Sequence, residues 1–244
     1  MTMTLKTIGT GSSGNCHILD VDGHKLILDA GVSIKKVKQA LNFDIRGIDG
    51  VIATHAHGDH SKAVQDFQTM GIPCFAPYLE ADTVIRKRKK FGIFTVTAFA
   101  IKTGDGMWLH TNGDGTQCPI YGFLIGVDGR KLLYVTDFLT LPYTFKKQRL
   151  SSIIIACNHL DDVEYEETGK AAHSYLGHSS VSTVKSIIHE SYTNALAHVV
   201  LCHLSDTADP VQMKTQVEAD LPFWVDVDIA ENGGVISLSD IPFT

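Results

Sequence analysis

The chain has 244 residues, of which 44% are hydrophobic, and a formal net charge of −6. This composition is typical of a soluble globular protein, and the negative charge excludes a protein that coats nucleic acid through charge alone. No apolar run reaches the ~20 residues that a membrane-spanning helix needs, and the first residues, MTMTLK, lack the pattern of a signal peptide. The five cysteines are scattered and form no C-x-x-C pair. We therefore expect a cytoplasmic protein without a disulfide framework or a cysteine metal site.

The first half of the chain predicts short strands separated by turns, together with a few helices. Residues 16–21 and 25–28 flank Asp22-Gly23, and an Asp-Gly between two apolar runs is typical of a β-hairpin. Apolar residues at helical spacing indicate a helix over residues 34–41. The other predicted strands are residues 5–8, 51–53, 73–76, 94–101, 121–127 and 131–135, and the other predicted helices are residues 61–70 and 78–90.

The second half of the chain alternates between strands and helices. The predicted strands are residues 152–156, 198–202 and 235–238, and the predicted helices are residues 180–191 and 210–219. Many strands with helices between them favour stacked sheets that are covered by helices. No repeat, low-complexity tract or linker interrupts the chain, so we expect a single domain over residues 1–244.

The most informative motif is His55-Ala56-His57-Gly58-Asp59-His60, which directly follows the predicted strand at residues 51–53. Imidazole nitrogens and a carboxylate oxygen are ligands suited to zinc or manganese. His55 and His57 are two positions apart on an extended segment, so their side chains can point toward one metal. We expect Gly58 to let the backbone bend, so that Asp59 and His60 reach a second metal.

This H-x-H-x-D-H pattern after a short apolar strand resembles the metal motif of the metallo-β-lactamase superfamily. Four further residues match landmarks of that superfamily in the expected order, and the resemblance runs from about residue 5 to residue 206. The matching residues are Asp29 in Leu-Asp-Ala-Gly, His110 in Trp-Leu-His, Asp137 at the end of a predicted strand, and His203 in Leu-Cys-His-Leu-Ser.

The resemblance implies an α/β (α+β) fold, a four-layer αββα sandwich of two mostly antiparallel sheets with the metals at one sheet edge. It also implies two divalent metal ions, for which we expect zinc, with manganese as the alternative. The first ion would be held by His55, His57 and His110, the second by Asp59, His60 and His203, with Asp137 shared between them. The segment after His110 departs from the His-Asp of close relatives, so Asp114 or a water molecule is the alternative third ligand.

A second motif, Leu176-Gly177-His178-Ser179-Ser180, precedes the predicted helix at residues 180–191. It resembles a segment of the phosphodiesterase branch of the superfamily, which includes ribonuclease Z and the WalJ/YycJ-like proteins, where a histidine faces the scissile phosphate. An imidazolium here could stabilise charge on the phosphate or protonate the leaving oxygen. We therefore predict Asp59 and His178 as the catalytic residues. The alternative is a surface histidine before a serine N-cap.

Three weaker features remain. Residues 9–14 spell G-x-G-x-x-G but lead into a strand, so they do not fit a dinucleotide-binding loop. The same turn resembles one in WalJ/YycJ-like proteins, and Asn15 after it could reach the site. The basic run at residues 86–90 is predicted at a helix end. It either forms a solvent-exposed face or binds the backbone of a nucleic acid. His159 and His173 could assist the site.

The motifs together favour a nuclease, exonuclease-like, that hydrolyses phosphodiester bonds in DNA or RNA. The 65 residues between Asp137 and His203 leave no room for the inserted domain of the β-CASP nucleases. The alternatives are a cyclic-nucleotide phosphodiesterase like those of phages, a thioester or lactone hydrolase, and a non-catalytic binding module. The expected partner is a nucleic-acid or nucleotide substrate rather than a membrane, and a homodimer stays open.

Overall fold

The computed structural model describes residues 1–80, 86–112, 114–161 and 178–239. Within these ranges, thirteen strands form one sheet of six strands and one of seven. The strands are β1 (Met3–Gly9), β2 (Cys16–Val21), β3 (His24–Leu28), β4 (Ile48–Ile52), β5 (Cys74–Phe75), β6 (Arg86–Phe91), β7 (Phe94–Ala100), β8 (Tyr121–Val127), β9 (Arg130–Val135), β10 (Ser152–Ala156), β11 (His198–Cys202), β12 (Asp226–Ile229) and β13 (Val235–Ser237).

Both sheets are mixed. The first has the order β13-β1-β2-β3-β4-β5, and it is antiparallel from β13 to β3 and parallel from β3 to β5. The second has the order β12-β11-β10-β9-β8-β7-β6, and it is antiparallel from β6 to β9 and parallel from β9 to β12. The predicted sandwich is confirmed, but parallel pairing is nearly as common in it as antiparallel pairing. The parallel pairs occur where a longer connection, rather than a tight turn, joins two strands.

Helices cover both sheets and complete the four layers. They are α1 (Ile34–Ala40), α2 (Gly58–Ser61), α3 (Val64–Thr69), α4 (Val181–Ser191) and α5 (Pro210–Glu218). One buried cluster fills the space between the sheets, a second joins the seven-stranded sheet to α4 and α5, and a third joins the six-stranded sheet to α1 and α3. Of the described helices, none combines the length and the apolar character that crossing a bilayer requires.

The predicted helix over residues 78–90 is wrong. Pro77–Leu79 forms a single 3₁₀ turn, residues 81–85 lie outside the described residues, and Arg86–Phe91 is the edge strand β6. β6 turns back into β7 at Gly92, whose φ of +51° suits glycine, and pairs with β7 from Phe91 opposite Phe94. Sheet pairing therefore overrides the helix propensity of the Arg/Lys run, and the basic run is not at a helix end.

The helix predicted over residues 61–70 is confirmed over Val64–Thr69 as α3, and a break separates it from α2, which ends at Ser61. The carbonyl of Asp59 accepts a hydrogen bond from the backbone N–H of Asn15, and the N–H of Ala63 donates to Ala30. An uninterrupted helix would pair the Ala63 N–H with the Asp59 carbonyl. Both groups instead bind the loops after β1 and β3, which ties the metal motif to them. The short strand β12 was not predicted, since two of its four residues are aspartates.

Candidate metal centre

The predicted site residues meet at one edge of the sandwich. Asp29 directly follows β3, and the residues of the His55–His60 motif follow β4. Asp137 and His203 lie just after β9 and β11, and His110 lies in the connection between β7 and β8. Parallel strands bring their carboxyl ends to the same edge, so residues distant in sequence become neighbours. The expected placement of the candidate ligands at a sheet edge therefore agrees with the geometry.

His55, His57 and His110 form the first group of candidate ligands. One ring nitrogen from each lies within 4.8 Å of the others, and the rings of His55 and His110 are buried. Nε2 of His110 is 3.2 Å from Nδ1 of His57. Asp114, the alternative third ligand, is exposed and accepts hydrogen bonds from Thr116 instead.

Asp59, His60, Asp137 and His203 form the second group, again with one ligand atom each within 4.8 Å of the others. The Oδ2 atom of Asp137 is 3.2 Å from Nε2 of His60, and its Oδ1 atom is 3.1 Å from Nε2 of His203. The Oδ2 atom also lies 3.6 Å from Nε2 of His55 in the first group. Asp137 therefore stands between the two groups, as expected for a shared carboxylate.

Asp29 belongs to neither group of candidate ligands, but its carboxylate contacts one of them, His60. Its buried carboxylate accepts hydrogen bonds from the backbone N–H of Thr54 at 2.8 Å and from the hydroxyl of Tyr134 at 2.7 Å. It also lies 2.8 Å from Nδ1 of His60. A hydrogen bond at one ring nitrogen selects the tautomer and leaves the other nitrogen for a metal. Asp29 thus turns Nε2 of His60 toward Asp137.

Other candidate ligands have comparable partners. The hydroxyl of Thr54 is 3.0 Å from Nδ1 of His55, and Oδ1 of Asn112 is 3.0 Å from Nε2 of His57. The side-chain amide of Asn158 donates to the carbonyl of His203 at 3.1 Å. Tyr134, Asn112 and Asn158 are not among the site residues predicted from the sequence. Only the position of Asn112 two residues after His110 could have pointed to one of them.

Three site residues have left-handed backbone conformations. The φ angles are 57° at Asp29, 53° at Asp137 and 54° at His203, each just beyond the end of a strand. Aspartate and histidine are enriched among the non-glycine residues that adopt this region. Such conformations cost about 1–3 kcal/mol each and cluster at functional sites. The chain turns sharply at these points and directs polar side chains across the sheet edge.

Glycine is required at Gly31 for close packing. A Cβ atom there would lie 1.7 Å from the carbonyl oxygen of Asp59, whereas a Cβ at Gly58 would meet nothing within 4 Å. The φ angle of Gly58 is also outside the left-handed region. A glycine is therefore not required at position 58 for the bend, and Gly31 is the glycine that lets the two loops meet.

Buried nitrogen atoms test whether these residues fit a metal. Nε2 of His55 and Nε2 of His203 are buried and make no hydrogen bond to a described residue. An unsatisfied buried polar atom costs about 1–3 kcal/mol, and coordination of a cation would remove that cost. Imidazole and carboxylate are the donors that divalent transition metals prefer. The arrangement therefore fits divalent metal ions.

The electrostatics agree with this fit. Burial lowers the pKa of His110 to about 4 and the pKa of His55 well below its ordinary value, so both rings are neutral, the form that binds metals. Burial also opposes a charge on His60, but the carboxylates of Asp137 and Asp29 outweigh it and raise the pKa of His60. The pocket thus favours positive charge beside Asp137, which a bound cation would supply.

His178 borders both groups of candidate ligands. Its Nε2 atom is 3.7 Å from Oδ2 of Asp137, and its ring stacks on the ring of His203 at 5.3 Å between centroids. Nε2 of the nearby His159 is 3.4 Å from the carbonyl of His178, so this ring supports the His178 backbone. Asn15 is also buried here, with Nδ2 3.0 Å from Nε2 of His60. His173 lies outside the described residues.

Comparison with known proteins shows which family this chain resembles. Residues 9–111 match the family model of the metallo-beta-lactamase superfamily. The exodeoxyribonuclease WalJ of Streptococcus pneumoniae is 23% identical over 91% of this chain and 91% of its own length. The anti-Pycsar protein Apyc1 of Paenibacillus xerothermodurans is 33% identical over 73 residues, so the match spans 28% of this chain and only 29% of that protein.

The fold comparison covers nearly the whole chain. The metallo-beta-lactamase fold protein YhfI of Bacillus subtilis superposes with a TM-score of 0.70 at 17% identity, over 97% of this chain and 100% of the other. The resemblance to the metallo-β-lactamase superfamily is therefore confirmed. The chain has the fold of that superfamily, with two groups of His and Asp ligands at its sheet edge.

Proposed function

We propose that the chain is a hydrolase that uses two divalent metal ions to cleave phosphodiester bonds, and that it acts as an exonuclease-like nuclease on DNA or RNA. The observation that carries this proposal is the position of His178 beside Asp137 and His203, next to both groups of candidate ligands. His178 is not one of the candidate metal ligands. A histidine beside such a site can act as a general acid in a reaction that has a charged phosphate and a poor leaving group.

The first ion would be held by His55, His57 and His110, and the second by Asp59, His60 and His203, with Asp137 shared. Zinc suits this set of nitrogen and carboxylate donors, and manganese is the alternative. When bound, such a pair of ions supplies a water of lowered pKa and neutralises charge on the phosphate oxygens.

The chain's own residues would orient the substrate and move the protons. The side chain of His178 is 12% exposed, so it is accessible from the open side of the site and can donate a proton from Nε2 to the leaving oxygen. The carboxylate of Asp59 is 29% exposed, compared with 4% for Asp137. We assign to Asp59 the orientation of the attacking water by a hydrogen bond, in addition to its role as a ligand.

The alignment with WalJ favours a nucleic-acid polymer as the substrate, because it extends over 91% of both chains. The match to Apyc1 is higher in identity but is confined to 28% of this chain. A match over so small a part of the chain says less about the substrate. Cleavage of a cyclic nucleotide is therefore the second candidate, and hydrolysis of a thioester or lactone, which does not need His178, is the third.

A substrate panel tests the proposal. Purified protein loaded with zinc or manganese is assayed with bis(p-nitrophenyl) phosphate, 5′- and 3′-labelled single-stranded DNA and RNA, duplex DNA, cyclic nucleotides and a thioester. We expect turnover of the small diester and stepwise shortening of a nucleic acid from one end. Turnover of cyclic nucleotides without cleavage of any polymer would favour the second candidate. Turnover of the thioester alone would contradict phosphodiester chemistry.

A further inference from the structure

The strand β6 carries five consecutive basic residues, 86–90, in a chain whose net charge is −6. We propose that the outer face of this strand, formed by Arg86, Arg88 and Lys90 and here called the basic track, binds the phosphate backbone of a nucleic-acid substrate and leads it to the metal centre. This inference rests on the proposed nuclease function and specifies how a long substrate is held.

The two faces of β6 differ in how their charges are used. Phe91 is buried between the sheets, and Lys87 and Lys89 lie on the same face by alternation, where both contact the carboxylate of Glu80. Lys89 also lies over the ring of Phe75 at 4.4 Å. The charges of this inner face are therefore already used to stabilise the fold.

The charges on the outer face of β6 are not used in ion pairs of this kind with described residues. Arg86, Arg88 and Lys90 are exposed, and none of them forms an ion pair with a described residue. Arg88 makes one weak hydrogen bond, at 3.4 Å, to the hydroxyl of Thr97 on the neighbouring strand. At about 3.3 Å of rise per residue, the three positive charges extend over roughly 13 Å along the strand. These charges are available for a ligand in solution.

The strand register places one end of the basic track at the metal edge. Arg86 pairs with Phe99 on β7, and the next residue, Ala100, pairs with Tyr121 on β8. The backbone N–H of Tyr121 donates to the carbonyl of Thr54, the residue before the metal motif. With strands about 4.8 Å apart, β6 is only about 10 Å from β8. A strand of nucleic acid that lies along the outer face of β6 would therefore reach the metal edge at Arg86.

The side chains of the basic track are suited to binding the phosphate backbone of a nucleic acid. Charged residues on edge strands also prevent aggregation, and lysine alone is sufficient for that purpose. Two arginines are more specific, because a guanidinium can donate two parallel hydrogen bonds to one phosphate. Beside Arg86, the ring of Phe99 contacts Tyr143, which is 39% exposed and could stack on a base.

Two double variants that each remove two positive charges test the basic track. Arg86→Gln/Arg88→Gln alters it, and Lys146→Gln/Lys147→Gln is the matched control. The control residues are exposed and lie next to Gln148, which accepts a hydrogen bond from Lys131 at the start of β9, the end of that strand opposite the metal edge. We would measure kcat/KM as a function of salt for a 30-nucleotide single-stranded DNA and for bis(p-nitrophenyl) phosphate, using the metal-loaded full chain.

The track variant is expected to lose about 10-fold in kcat/KM on the oligonucleotide at 0.1 M salt, with the slope of log kcat/KM against log salt reduced by about 1.4, since each phosphate contact of a single strand contributes about 0.7. Turnover of the small diester reports an intact site and should not change. Equal losses in the track and control variants would overturn the basic track while the nuclease function stands. A wild-type protein that cleaves the small diester but no nucleic acid would instead contradict the proposed function.

Discussion

The hydroxyl of Tyr134 donates a 2.7 Å hydrogen bond to Oδ2 of Asp29, the oxygen that also lies 2.8 Å from Nδ1 of His60. All three side chains are fully buried, or nearly so. Burial and the Asp29 carboxylate raise the pKa of Tyr134 well above its ordinary value, so the phenol keeps its proton and acts as a donor. A series of hydrogen bonds that begins at Tyr134 in the core strand β9 therefore supports the candidate second metal site.

Replacement of Tyr134 by phenylalanine should weaken the second metal site. The change keeps the ring that packs between the sheets but removes one donor from a buried carboxylate. Loss of an outer-shell partner typically reduces metal affinity about 10–100-fold, and loss of a hydrogen bond to a charged group costs about 1.5–3 kcal/mol of stability. Metal titration monitored by calorimetry, together with thermal unfolding, measures both effects.

Tyr143→Phe is the matched control, because Tyr143 donates its hydroxyl hydrogen to the carbonyl of Ala100 rather than to a site residue. It should bind metal with the affinity of the wild type. Equal metal affinity in Tyr134→Phe and Tyr143→Phe would show that Asp29 does not need its phenol partner.

Gly31 and Gly58 should respond in opposite ways to replacement by alanine. A methyl group at Gly31 would collide with the carbonyl of Asp59, while the space beside Gly58 is open. We expect Gly31→Ala to displace Asp59 and lose one equivalent of metal, or to fail to fold. Gly58→Ala should retain the fold and both metals. Metal analysis and circular dichroism decide this, and a Gly31→Ala protein with its full metal content would contradict the close packing.

His110 should be the third ligand of the first group. Its ring lies within reach of His55 and His57, so His110→Ala should release one metal equivalent. Asp114→Asn removes the charge of the alternative ligand and should leave the metal content unchanged, because Asp114 binds Thr116. The opposite result, with metal lost only from Asp114→Asn, would mean that the loop after His110 rearranges to coordinate the ion.

Much of the site could be predicted because its ligands are polar residues at strand ends. The motif at residues 55–60 is contiguous, and its spacing alone separates the two groups of ligands. Asp137 and His203 could be assigned only through the resemblance to the superfamily, which places a ligand after each of these two apolar strands. Both residues have a left-handed backbone conformation, which aspartate and histidine tolerate.

The remaining features depend on contacts between distant parts of the chain. Tyr134 is separated from Asp29 by 105 positions, and inside a strand it is indistinguishable from any core aromatic residue. The strand β6 was mistaken for a helix because an Arg/Lys run favours helices locally, and only its pairing with β7 shows otherwise. The break between α2 and α3 likewise results from bonds to Asn15 and Ala30, which no local pattern contains.

The role of His178 can be separated from phosphate binding by varying the leaving group. An alkoxide needs a proton in order to leave, so His178→Ala should lose about 10²–10⁴-fold on an alkyl phosphodiester. The loss should be much smaller with p-nitrophenolate, which leaves without a proton. His189→Ala, an exposed histidine of α4, is the control and should have no effect. Equal losses with both leaving groups would make His178 a phosphate clamp, and no loss would make it a surface residue.

Titration of metal-free protein with zinc, or with manganese, while phosphodiester hydrolysis is followed, tests the central claim most directly. Two groups of ligands share Asp137, so the account predicts that activity rises until about two equivalents of metal are bound per chain. The bound metal is counted by elemental analysis at each step. Full activity with a single equivalent would contradict the two-metal phosphodiesterase.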